Sequence, residues 1–201
     1  MVKISILDRV LLFGTGLLSA YQVVVGVEGL ATLAVASYAV GFGVILIAVL
    51  LMIVLGFEIL DSPWVVIVST VIPLSISMGL IIEYYSDYQI AYLVFLLVGL
   101  LAITVTRLYA PQRIASIILS FVHGIAGVVI VILPVILIFL DRVSIGIVWI
   151  AIGGALMGIG GMLMAFSKTD KQILSQETIL KLLPGLLLLT STSFVIGFVN
   201  R

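Results

Sequence analysis

Apolar stretches long enough to cross a bilayer follow one another along this chain, parted only by short polar breaks. A helix rises about 1.5 Å per residue, so about twenty apolar residues bridge a hydrocarbon layer of ~30 Å. Lipid offers backbone groups no water to bond to, which leaves helices and closed barrels as the spanning structures. Barrel strands alternate apolar and polar residues over about ten positions, and the runs here do not alternate. The composition agrees: hydrophobic residues make up 64% of the 201, charged residues 9%, and mean hydropathy is +1.47. A soluble domain carries about a quarter charged residues. The expected fold is therefore all-α: a polytopic transmembrane helical bundle, forming one domain over residues 1–201.

Seven spans are predicted, at about 10–27, 31–57, 64–82, 89–106, 114–140, 143–166 and 182–199. The breaks are Glu28-Gly29, the Glu58–Asp61 segment before Ser62-Pro63, the polar and aromatic run Glu83 to Tyr88, Arg107 to Arg113, Asp141-Arg142, and the longest polar stretch, Ser167 to Lys181. That last stretch reads as a solvated loop rather than an interfacial helix. The run from Val10 is too long for a cleaved signal core and is expected to be retained. With seven spans, Lys3, Arg9, Arg107, Arg113, Lys168, Lys171 and Lys181 share one side, against Arg142 and Arg201 on the other. Cytoplasmic loops carry the excess of Lys and Arg, so the N-terminus is expected in the cytoplasm of a cell-membrane, multi-pass protein.

Nine basic residues balance nine acidic ones, and no basic tract points to nucleic acid or anionic lipid. There is no Cys, which excludes disulfides and thiolate metal sites. No metal site and no cofactor are expected.

A few residues invite more than a packing role. His123 is the one ionisable side chain well inside a span, and such groups raise a functional hypothesis. It could ligate haem, relay a proton or line a pore; hydrogen bonding to Ser116, Ser120 or a neighbouring helix is the simpler reading. Ser116, Ser120, His123, Gly124 and Gly127 recur at three- and four-residue steps, a small polar stripe suited to a pore wall or, more simply, a helix contact. Gly154 and Gly158 form a GxxxG pair that Gly161 extends, a close-packing signal for an internal or external partner. Pro73 and Pro134 lie within spans and kink them. Ser69, Thr70, Ser75 and Ser77 could satisfy the carbonyl that Pro73 frees, and broken helices of this kind build transporter sites. The cluster Thr190 to Ser193 is expected to face Ser69–Ser77 as a neutral polar core. The acidic residues Glu58, Asp61, Glu83, Asp87 and Asp141 read as boundary markers, which argues against a carboxylate-relay pump.

Seven spans suggest a rhodopsin, but that family's retinal lysine lies inside the last helix, and here no Lys follows Lys181. Spans one to six pair into three hairpins at intervals of about fifty residues, a period that suggests duplicated units. The third, from Phe121-Val122-His123-Gly124-Ile125 through Trp149-Ile150-Ala151-Ile152-Gly153 to Gly160-Gly161-Met162, resembles the repeat of the HdeD-like family of small membrane proteins, which have an acid-resistance link. The first hairpin, Leu11 to Ile53, resembles it more faintly. The seventh span and the turn prolines depart from that pattern. The resemblance implies tandem glycine-rich hairpins and no catalytic residues.

The expected function is thus a non-enzymatic integral membrane protein, an accessory, stress-related or complex-forming subunit. Its partners would be membrane lipid and a second copy or other membrane subunits. The alternatives are a channel or transporter for a small neutral solute and, third, a haem-binding electron carrier using His123.

Overall fold

The computed structural model describes residues 4–166 and 174–201. Among these there are seven α-helices and no strand: α1 (Ile6–Val25), α2 (Thr32–Leu55), α3 (Pro63–Tyr84), α4 (Gln89–Tyr109), α5 (Gln112–Phe139), α6 (Val148–Phe166) and α7 (Gln176–Val199). Short 3-10 turns at Phe57–Asp61, Ser86–Tyr88 and Ile145–Ile147 join some of them. The helices α2 to α7 are long and apolar enough to cross a membrane. α1 spans 20 residues, but Asp8, Arg9 and Gln22 dilute its apolar character.

The helices outrun the apolar stretches at several ends, and capping explains where. Ser5 accepts from the Asp8 N–H at 3.1 Å while Asp8 accepts from the Ser5 N–H at 2.8 Å. This reciprocal box satisfies two orphan donors and starts α1 ahead of the charged pair Asp8-Arg9, which a hydropathy reading treats as a break. Ser175 likewise caps α7, its hydroxyl accepting from the Thr178 N–H at 3.2 Å. α7 thus begins at Gln176, within the polar stretch expected to be loop, and Glu177 and Lys181 pair one turn apart at 2.6 Å. Residues 167–173 of that stretch lie outside the described residues. At α6 the helix does not start at Val143 as expected: the chain bends there, forms a 3-10 turn at Ile145–Ile147, and the α-helix proper begins at Val148.

Contacts run in a closed circuit, α1 to α2, α3, α5, α6, α7 and back to α1. α4 sits outside that circuit, against α3 and α5. It buries only Leu96, Gly99 and Ile103, while Leu97, Val98 and Leu101 are exposed. An apolar surface this extensive belongs in lipid rather than water. Inside the circuit, rings from α2 and α7 meet: Tyr38 and Phe198 have centroids 4.5 Å apart, Phe42 and Phe198 5.9 Å, and Phe42 and Phe194 6.2 Å. Such edge and tilted pairs add to the burial of large side chains. Glycines make room for them: a Cβ at Gly79 would stand in the Tyr38 ring, and one at Gly153 would lie 2.7 Å from the Phe194 ring.

Candidate functional site

The expected stripe on α5 lies beside its buried face, not on it. That buried face is Ala115, Val122, Ala126, Ile130, Pro134 and Leu137. Ser116 and His123 are half-buried, and Ser120 and Gly124 are exposed. His123, Gly127 and Ile130 fall on one side of the helix at steps of four and three. Ile130 is where α6 touches: a Cβ at Gly154 would stand 2.5 Å from Ile130 Cγ2. Gly154 is therefore an internal packing glycine. Gly158 and Gly161 share its face, yet a Cβ at either would meet no described atom within 4 Å, and the same holds at Gly124 and Gly127. α5 and α6 close on each other at Ile130 and Gly154 and stand apart one turn further on. The result is a cleft whose walls are small residues, with His123 on its α5 side. The His123 Nδ1 is enclosed, and the ring faces the Leu119 backbone one turn back in its own helix, with Arg107 of α4 nearby.

Ser69 and Pro73 are not part of this cleft; they belong to α3, where Pro73 is buried. The neighbouring hydroxyls do not serve the carbonyl that Pro73 frees, that of Ser69. Ser69 and Thr70 both donate to the Val66 carbonyl, at 3.0 and 2.8 Å, and Ser77 donates to Leu74 at 2.9 Å. Hydroxyls in apolar helices bond back to their own turn because that acceptor is always within reach. A third intrahelical proline, Pro184 of α7, completes a set on α3, α5 and α7. In α7, Thr190, Ser191 and Ser193 are buried, and the Thr190 and Ser191 hydroxyls have no hydrogen-bond partner among the described residues.

The most polar enclosed cluster was not visible in the sequence. Glu83 forms an ion pair with Arg201, with side-chain exposures of 7% and 16%. The Tyr38 hydroxyl donates to the other Glu83 oxygen at 2.8 Å, and Arg201 also donates to the Glu28 carbonyl at 2.8 Å. The Ser144 hydroxyl donates to the Asn200 carbonyl at 2.5 Å. These contacts gather the α1–α2, α3–α4 and α5–α6 connections and the residues after α7 at one end of the bundle. Glu83 does lie at a span end, one residue before α3 closes at Tyr84, and its largely enclosed carboxylate is an anchor there as well. The one available signal was scarcity: Arg142 and Arg201 are the only cations assigned to that side, opposite Glu28, Glu83, Asp87 and Asp141.

Chemically, both Glu83 oxygens are engaged by donors, an arrangement that fixes helices rather than activates a nucleophile. Among the described residues no three His, Asp or Glu side chains gather to hold a metal ion. No family model matches this chain, and no curated protein and no solved structure matches it.

Proposed function

We propose that the protein is a non-enzymatic, multi-pass subunit of the cell membrane that assembles with a second copy or another membrane protein through the α5–α6 cleft. The observation that carries this is the divergence of two glycine-bearing faces, with Gly127, Gly158 and Gly161 open where Gly154 is packed. Lipid gives helices no hydrophobic push toward one another, so small residues that admit a close backbone mark association surfaces. In this reading all seven helices span, and the end bearing Ser5 faces the cytoplasm, in keeping with the bias of Lys and Arg. A stress-related role rests on the hairpin resemblance alone.

Native mass spectrometry after mild detergent extraction tests the assembly. The expected result is an oligomer or a complex that Gly158→Leu dissociates while the monomer stays folded. A monomer with robust turnover of a substrate would overturn the reading.

A channel or transporter for a small neutral solute is the second reading. It is favoured by prolines on three helices of the circuit and by the buried, unpaired hydroxyls of Thr190 and Ser191. Absence of flux for a broad panel of neutral solutes in proteoliposomes removes it. The haem reading of His123 is removed by a purified sample that shows no Soret band.

A further inference from the structure

The outer face of α5 carries a second feature, separate from the cleft. A shallow apolar furrow of about 410 Å³ runs along it, lined by Ser120, Phe121, Gly124, Ile125, Val128 and Val129. It exists because Gly124 has no side chain and no described neighbour within 4 Å. The same face continues toward the start of the helix through Ile117 to Arg113, at steps of three and four residues. Ile117, Phe121 and Val128 are each more than half exposed, so this face looks into lipid.

At the foot of the furrow stands Arg113, and the α4–α5 connection puts Arg107 beside the neighbouring Gln112 at the same helix start. The Arg107 guanidinium reaches Gln112 at 3.5 Å, and its enclosed Nε has no partner among the described residues. Neither Arg107 nor Arg113 forms an ion pair among the described residues. Of the acids expected at this end, Asp8 is engaged with the Ser5 N–H and Glu177 with Lys181, while Glu58 and Asp61 lie in the α2–α3 connection. α5 has no side-chain cap, and while the Ile114 and Ala115 N–H groups bond the Pro111 carbonyl, those of Gln112 and Arg113 have no acceptor among the described residues and can face an anion. Guanidinium groups suit phosphate oxygens, and basic positions beside transmembrane helices select anionic headgroups.

We infer that this face binds one anionic phospholipid, its phosphate held by Arg107, Arg113 and Gln112 at the start of α5 and an acyl chain laid in the Gly124 furrow. Charge at the foot and an apolar track above it match the two halves of such a molecule and of no soluble anion. The site does not depend on the cleft's serving as an assembly surface.

The test is native mass spectrometry of the full chain with equal amounts of phosphatidylglycerol and phosphatidylcholine of identical acyl chains. The intact protein should retain phosphatidylglycerol over phosphatidylcholine by about tenfold, the scale of one to two surface cations. R107Q/R113Q should bring the two lipids near parity, while R142Q, which removes a cation from the other end, should leave the preference intact. Gly124→Leu fills open space, folds, and should lower retention of both lipids; this variant decides the matter if the double arginine variant fails to fold. Equal retention by the intact protein, a preference that survives R107Q/R113Q, or retention unchanged in Gly124→Leu would overturn the proposal. Displacement of the lipid by excess glycerol 3-phosphate would also overturn it, because a headgroup alone would then suffice.

Discussion

Arg201 and Glu83, 118 positions apart in the chain, form a mostly enclosed ion pair that ties the residues after α7 to the end of α3. Tyr38 of α2 completes it from the third side. An ion pair taken out of water gains strength only if its remaining hydrogen-bonding capacity is met. Here the second carboxylate oxygen takes the Tyr38 hydroxyl, and the second guanidinium nitrogen takes the Glu28 carbonyl. The pair thereby joins elements distant in sequence at one end of the bundle, directly above the Tyr38–Phe198 ring contact.

Removing one partner should therefore cost far more than removing both. Glu83→Gln or Arg201→Gln leaves an uncompensated, largely enclosed charge or donor, and a loss of about 3 kcal/mol is expected. Tyr38→Phe removes a single hydrogen bond to a charged group and should cost about 1.5 kcal/mol. The variant E83M/R201M/Y38F replaces the whole network with apolar groups and should recover most of the loss. Thermal midpoints in one detergent, read by size-exclusion chromatography of heated samples, give the order. A triple variant less stable than Glu83→Gln alone would show that the network itself, not its balance, holds this end.

The two glycines of the GxxxG pair should part company on substitution. At Gly154 an added side chain meets Ile130 and Val131, so Gly154→Leu overpacks a closed seam and should cost about 3 kcal/mol or prevent folding. At Gly158 it meets no described atom, and Gly158→Leu should leave the monomer within about 0.5 kcal/mol of the parent. The same thermal measurement on detergent-dissociated monomer compares them. Equal losses at both positions would mean the α5–α6 seam is closed along its length.

How far the sequence discloses this molecule depends on the range of the interaction in question. The seven helices follow from apolar run length, because each satisfies its own backbone. The starts of α2 to α5 were legible without any side-chain cap, within two residues of the expected positions, whereas at α1 and α7 the caps, Ser5 with Asp8 and Ser175 with Thr178, carry the helix into stretches that hydropathy alone assigns to polar breaks. The placement of Gly154 against Gly158 was not legible, because both occupy one face and only the divergence of α5 from α6 distinguishes them. The Glu83 cluster was hidden for the same reason, since nothing near Glu83 in sequence reports Arg201 or Tyr38. Pro184 lies inside α7, where its position three residues past Lys181 gives no local sign that it belongs with Pro73 and Pro134.

Buried hydroxyls without partners make a prediction of opposite sign. Thr190 and Ser191 are 3% and 1% exposed, and neither hydroxyl has a hydrogen-bond partner among the described residues. An unsatisfied buried polar group costs about 1–3 kcal/mol. Thr190→Val and Ser191→Ala should each be neutral or raise the thermal midpoint, by an amount equivalent to about 1 kcal/mol. Destabilisation by either would reveal an acceptor or an ordered water in the α7 region, and with it a polar interior of the kind a solute pathway requires.

The chain has no Cys, so single-cysteine labelling can test the threading without background. The contacts of Arg201 with Glu83 and Glu28, and of Ser144 with Asn200, put three helix connections and the residues after α7 at one end. Cysteines at Tyr88 and Asn200, at that end, should react with a membrane-impermeant maleimide added to intact cells. Cysteines at Ser5 and Gln112, at the far end, should react only after permeabilisation. The weak point is α1, whose Asp8, Arg9 and Gln22 make it the least apolar of the seven helices. Its neighbours argue for insertion nonetheless, since it packs on both α2 and α7 and closes the circuit between them. Labelling of Ser5→Cys from outside, with Gln112→Cys still protected, would place α1 along the membrane surface and leave a six-span bundle.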